Sequence, residues 1–136
     1  MTSRRRSLSP SDAYHAVLLK QGDVLIVTMQ EAGDHDLAQL EDDVARKVGH
    51  FRAHGLVIDV SALDVMDSFA TRTLSGIAYT ARLRGAETVV VGIQPDVAFA
   101  MVQLGLSLNN VATALDREEG MEILAARKRR RHDSGD

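Results

Sequence analysis

The sequence contains no cysteine and no tryptophan, and only three phenylalanines and two tyrosines. Without thiols there are no disulfides, no thiolate zinc sites and no cysteine nucleophile. Hydrophobic residues still make up 45% of the chain, too many for wholesale disorder. The core must therefore be built from Val, Ile, Leu, Ala and Met. No apolar run approaches the roughly 18 residues that a bilayer-spanning helix requires. The N-terminus, "MTSRRRSLSPSDAY", is basic but lacks the apolar stretch of a secretory signal. A cytoplasmic location without membrane association is expected. Neither G-x-G-x-x-G nor G-x-x-x-x-G-K-[ST] occurs, and no cofactor is expected.

What is present suits one domain of ordinary size. The formal net charge of −3 hides an asymmetry. Eight of the 16 basic residues lie in Arg4–Arg6 and Arg127–Arg131. From Asp12 to Ala126 the chain carries eight basic and 17 acidic residues, a net of −9. Such a body does not bind nucleic acid through a broad face. Residues 1–13 and 127–136 read as basic, flexible tails flanking a single domain over 14–126.

"YHAVLLK" and "DVLIVTMQ" read as two strands joined by a hairpin turn at Gln21-Gly22. In the segment after them Leu37, Leu40, Val44, Val48 and Phe51 recur at helical steps. This predicts an amphipathic helix from near Asp34, closed by Gly55. "LVIDV" (Leu56–Val60) is a short apolar strand of the kind buried in a parallel sheet. A helix follows from about Ser68 to Arg84, ended by Gly85. "ETVVVGI" is another buried strand. Pro95 opens a further helix, closed by Gly105. "VATAL" predicts a last strand and "DREEGMEILAARKR" a last helix capped by Asp116. The order β-β-α-β-α-β-α-β-α defines an α/β fold with a mixed, mainly parallel sheet and an N-terminal hairpin.

In such sheets function tends to lie at the carboxyl ends of the parallel strands. The junction "LDVMDSFATRTL" (Leu63–Leu74) is one such place. Asp67 or Ser68 serves as helix N-cap there. If Asp67 caps, the Ser68 hydroxyl lies in the first turn and faces solvent, ahead of an exposed pair, Thr71 and Arg72. A phosphoryl group on Ser68 would meet unpaired N–H groups and the positive end of the helix dipole. It would add about −1.5 to −2 of charge. Asp64 and Asp67 would repel it, so a docked partner feels the change more than the local fold does. A nucleophilic Ser68 in a small hydrolase would need an adjacent base and an oxyanion hole, and the context is not G-x-S-x-G. His50 and His54 could share one helix face at metal-compatible spacing, but no carboxylate is interleaved, and no metal is expected.

From "LVIDV" through "MDSF" to "GIQPDVA" and "LGL" the sequence resembles the STAS domain, the fold of the anti-sigma-factor antagonists. "Asp-Ser" at a helix start after a strand ending in Asp is that family's pattern, matched here by Asp59, Asp67 and Ser68. "DSF" with "GIQPDVA" is similar to the small single-domain STAS scaffolds of the bacterial stressosome, the RsbS type. The resemblance covers about Ala16 to Leu124. The common antagonists have a second Ser and a Gly-Leu-Gly run where this chain has Phe69, Ala70 and Thr71, a departure that favours the stressosome subclass.

That resemblance implies a protein without catalytic activity of its own. It would co-assemble with sensor-bearing STAS paralogues into a large particle, as a dimer or higher homo-oligomer within it. The particle would sequester a serine kinase of the histidine-kinase ATPase fold. Phosphorylation of Ser68 would release the kinase, and a serine phosphatase would reset the site. Asp59, Asp64, Asp67, Phe69, Thr71, Arg72 and Gln94 are the expected partner contacts around Ser68. The alternative is an ordinary STAS antagonist that binds an anti-sigma kinase directly.

Overall fold

A computed structural model of the chain describes residues 13–31, 35–109 and 111–133. The elements run β1 (Ala13–Gln21), β2 (Val24–Glu31), β3 (His35–Asp36), α1 (Leu37–Phe51), β4 (Gly55–Ala62), α2 (Ser68–Leu83), β5 (Glu87–Val91), α3 (Pro95–Gln103), β6 (Val111–Ala114) and α4 (Arg117–Asp133). The sheet order is β3-β1-β2-β4-β5-β6. β1 pairs antiparallel with β2, Gln21 opposite Val24 across the tight turn. β2, β4, β5 and β6 are mutually parallel. This is the α/β arrangement expected from the alternation of elements, with the two-residue β3 added at the hairpin edge.

Side-chain alternation assigns the two faces of the sheet. Leu25, Val27 and Met29 of β2, Leu56, Ile58 and Val60 of β4, and Val90 of β5 point to one face. There they meet Leu40, Val44 and Val48 of α1 and Leu74, Ile77 and Ala81 of α2. Val24, Ile26, Val57, Val89 and Val91 point to the other face and pack with Leu124 of α4. Strands buried on both faces read as continuous apolar runs, which is why "LVIDV" and "TVVV" lack alternation. Gly120 is required where α4 crosses the sheet: a Cβ there would lie 2.9 Å from Val91 Cγ1.

Three boundaries differ from expectation. α1 starts at Leu37, and residue 34 lies outside the described residues. Its end is not made by Gly55, which is already the first residue of β4. Arg52, with φ of 51°, turns the chain instead, and Ala53 N donates to Val48 O at 3.1 Å. His50 and His54 are therefore not on one helix face. Third, the basic run expected as a flexible tail continues α4 to Asp133. Arg, Lys and Ala are strong helix formers, and cations suit a helix C-terminus. Arg127 pairs with Glu87 at 3.3 Å, and Lys128 pairs with Asp23, tying the run to the sheet. Among the described residues no helix is long and apolar enough to cross a membrane.

Candidate functional site

The loop from Leu63 to Asp67 leaves the carboxyl end of β4 and delivers the chain to α2. Leu63 and Met66 are buried and pin the loop to the core. Its backbone is held from both sides. Glu31, at the end of β2, accepts from the N–H of Asp64 at 3.1 Å and of Val65 at 3.2 Å. Gln94, in the loop after β5, donates from Nε2 to Ser61 O at 2.9 Å and to Asp64 Oδ1 at 3.1 Å. Two strand ends thus fix the approach to the helix.

Asp67 is the N-cap. Its φ and ψ are extended (−85°, −178°), and its Oδ1 accepts from Ala70 N at 2.8 Å. Ser68 follows as the first helical residue and is exposed. Among the described residues its hydroxyl has no hydrogen-bond partner, whereas Thr71 Oγ1 donates to Asp67 O and Thr73 Oγ1 to Phe69 O, each at 2.9 Å. Capping and exposure are therefore divided between adjacent residues, as the sequence suggested. Phe69 (42% exposed) and Val65 (61% exposed) leave apolar surface flanking Ser68 along the chain. Arg72 is exposed, and Asp64, Asp67, Asp96 and Asp116 lie in the junctions at this end of the sheet. The local field is acidic.

Two expected contact residues are placed otherwise. Thr71 is not exposed: it is 3% accessible and sits on the α2 face that carries Leu74 and Ala78. Asp59 alternates with Ile58 and Val60 and so points to the α4 face of the sheet, away from the face that α2 covers. It is 8% accessible and occupied. Its Oδ2 accepts from Arg117 Nε at 2.7 Å and its Oδ1 from Ser61 N at 2.9 Å. Arg117 also donates to Thr28 Oγ1 at 2.5 Å. Burial pushes the Asp59 pKa up, but the Ser61 backbone N–H and hydroxyl and the Arg117 guanidinium together hold it below the ordinary carboxylate value. Asp59 is thus a strut between β4 and α4.

Glu31 and Arg117 are the residues that sequence reasoning missed. Glu31 follows a strand whose end was read at Gln30, and its acceptors' partners lie 33 and 34 residues away. Only the polar interruption of "LVIDV" by Asp59 signalled that a buried carboxylate needed a cation. The described imidazoles do not serve Ser68. His54 precedes β4 at its amino end and bonds Asp23 at 3.1 Å. The eight residues of β4 lie between it and the loop, a span of about 25 Å. His50 stacks edge-on against Phe51 at the C-terminus of α1.

A hairpin leading into β-α units, with a capped helix starting at the carboxyl end of a central strand, is the architecture of a STAS domain. The STAS domain family model matches residues 15–119, and the chain belongs to that family. Among solved structures, RsbS of Moorella thermoacetica, in a serine-to-glutamate variant, is similar at 36% identity and a TM-score of 0.73, over 85% of this chain and 98% of that one. A chain from the stressosome, described as a signal integration and transduction hub, is similar at 37% identity and a TM-score of 0.71, covering 83% and 99%. In Bacillus subtilis, the RsbT co-antagonist protein RsbRD is 26% identical over 83 residues, 61% of this chain. This chain spans only 30% of the length of that relative.

Proposed function

We propose that this protein is a non-catalytic scaffold of a stressosome, which holds a partner serine kinase until Ser68 is phosphorylated. The observation that carries the reading is the exposed Ser68 hydroxyl, without a hydrogen-bond partner among the described residues, one residue after a capping carboxylate. A substrate hydroxyl for another protein's active site must be reachable and must not be consumed by local hydrogen bonds. Ser68 meets both conditions, while Thr71 and Thr73 spend their hydroxyls on helix carbonyls. Support for the scaffold role comes from the extent of the RsbS likeness, which covers 98% of that chain.

In this reading the chain co-assembles with sensor-bearing STAS paralogues of the RsbR kind. The kinase, of the histidine-kinase ATPase fold, docks on the acidic, partly apolar end formed by Asp64, Asp67, Phe69, Arg72 and Gln94. Acidic fields steer basic partner surfaces and set their orientation. A phosphoryl group adds about two negative charges there. It also occupies the space over the first turn of α2, so the docked kinase is released. A serine phosphatase reverses the change.

Two measurements test this. Size-exclusion chromatography with light scattering, with and without an RsbR-type paralogue, should show a particle far larger than either component. A one-to-one complex would instead favour a directly acting anti-sigma antagonist. Incubation with the cognate kinase and ATP should place one phosphate on Ser68 and none on Ser68→Ala. Equal incorporation by that variant would overturn the assignment.

A further inference from the structure

β1 leaves an open strand edge. β3 pairs with it only at Ala13 and Tyr14, and the sheet order puts no other strand outside it. From His15 to Gln21 that edge has no strand partner among the described residues. The stretch is bounded by β3 at one end and by the Gly22-Asp23 turn at the other. Gln21 and Val24 flank this two-residue turn and form a hydrogen-bonded pair. Counting back by twos, Leu19 and Val17 also bond to β2, while Lys20, Leu18 and Ala16 turn their N–H and C=O outward. Natural edges are blunted by proline, inward-pointing charge or a bulge. Between Ala16 and Gln21 there is no proline, the register against β2 is unbroken, and Lys20 is the one charged side chain. Leu19 stands opposite Ile26, so Val17 and Leu19 share the α4 face of the sheet. They are nevertheless 52% and 56% exposed, beyond the strands that α4 covers.

We propose that β1 pairs antiparallel with β1 of a second copy of this chain, about a twofold axis at Leu18, so that two sheets become one. Leu18 is the middle of the open stretch. Centring the pair there uses all of His15–Gln21, and it brings the partner's turn level with Tyr14, where β3 begins, without overlap. Outward groups then meet outward groups: Leu18 faces the partner's Leu18, and Ala16 faces the partner's Lys20. A slip of one residue would set them against groups already bonded to β2. The side chains agree with this register. Val17 falls opposite the partner's Leu19, at a non-hydrogen-bonded pair, where side chains approach most closely. The exposed apolar pairs of the two chains thus close into one strip across the axis. Lys20 meets an alanine, so no like charges oppose each other. The contact is isologous and closes at two copies. β2 separates β1 from β4, so the dimer leaves the Ser68 loop uncovered, and the inference does not depend on the role of Ser68.

The test is size-exclusion chromatography with light scattering of the full chain alone, over a dilution series. A species with the mass of two chains is expected, dissociating on dilution. Val17→Lys/Leu19→Lys sets lysines opposite each other across the axis and should raise the dissociation constant about tenfold or more. Val17→Glu/Leu19→Glu should do the same. Mixing the two variants should restore the dimer, because lysine then faces glutamate, a rescue that mere loss of stability would not produce. Lys20→Pro removes an N–H that does not serve β2 and should also weaken pairing about tenfold or more. Circular dichroism checks each fold, and Lys20→Pro stands in if the charge variants do not fold. A wild type that is monomeric throughout, or an oligomer whose dissociation is the same in all these variants, would overturn the proposal. So would a mixture of the charge variants that stays monomeric, or a chain that is monomeric alone and pairs through β1 only with an RsbR-type paralogue.

Discussion

Arg117 Nε lies 2.7 Å from Asp59 Oδ2, joining the first residue of α4 to the fifth residue of β4 across 58 positions of sequence. The carboxylate is nearly buried and the guanidinium is 43% exposed. Removing the cation strands the anion, and this costs more than the pair itself contributes. Arg117→Met is expected to destabilise the fold by about 2 kcal/mol, less than for a fully buried pair because solvent reaches the arginine. Urea denaturation measures it. A shift within about 0.5 kcal/mol would show that the pair contributes nothing measurable.

The same pair sets an acid dependence. The Ser61 and Arg117 contacts hold the Asp59 pKa below the ordinary carboxylate value in the folded protein. A carboxyl with a depressed folded pKa binds fewer protons folded than unfolded, so stability rises with pH through this window. The contribution is complete above about pH 5 and is lost as pH falls through the folded pKa. Asp23 shifts the same way, chiefly through Lys128, and adds a second, more solvent-screened share. The stability gap between the wild type and Arg117→Met should narrow steadily below pH 4. A gap independent of pH would sink the ionic account of this contact.

Asp67 and Ser68, though adjacent, should respond oppositely to truncation. Asp67→Ala removes the acceptor for Ala70 N and should cost about 1 kcal/mol, with Asp67→Ser recovering most of it. Ser68→Ala removes an exposed hydroxyl without a partner among the described residues and should change stability by less than about 0.5 kcal/mol. Ser68→Asp should also lie within about 0.5 kcal/mol, since the helix dipole favours the added charge while Asp64 and Asp67 oppose it. Paired thermal melts and phosphate incorporation separate the two residues: Asp67→Ala should lose stability, and, if Ser68 is the phosphosite, Ser68 variants should lose phosphate incorporation.

Most of this division was legible in sequence because caps are local. Asp67, Pro95, Gly85 and Gly105 act within a turn of themselves, and each is found where its chemistry places it. The residues that were misplaced act at a distance or against their type. Thr71 is polar, yet it stands three residues before Leu74 and seven before Ala78, on the buried face. Its hydroxyl is satisfied by the helix itself, which removes the cost of burial. Asp59 shares its strand with core residues, and strand parity, rather than proximity in sequence to Ser68, decides which face it serves. Glu31 and Arg117 have no local signature, because their partners arrive only when the sheet assembles.

Glu31 provides a test of how the loop before Ser68 is positioned. One of its oxygens accepts two consecutive backbone N–H groups. Both are exposed enough for water to replace it in part, so Glu31→Ala should cost only about 1 kcal/mol. The loop would nevertheless gain freedom at Asp64 and Val65, two residues short of the cap. If Ser68 is the phosphosite, its phosphorylation rate should fall more than stability does, and Glu31→Gln, which keeps an acceptor, should restore part of it. Unchanged rates in Glu31→Ala would mean that Gln94 and Asp67 suffice to hold the loop.

Gly92 closes the carboxyl end of β5 against β4, and its replacement has two separable costs. Its φ is 80°, and its N–H donates to Ala114 O at 3.2 Å. A Cβ here would lie 2.8 Å from Ser61 Cβ and 3.3 Å from Asp59 Oδ1. Gly92→Ala therefore suffers both left-handed backbone strain and a collision with the strand that carries the Asp59 strut. Together these should cost about 2–3 kcal/mol. Gly92→Asn distinguishes the two, because asparagine tolerates positive φ but still carries the Cβ. If strain dominates, Asn should regain most of the loss relative to Ala. The 2.8 Å contact with Ser61 predicts that it does not, because relief requires β4 and β5 to move apart at the end that feeds the Ser68 loop.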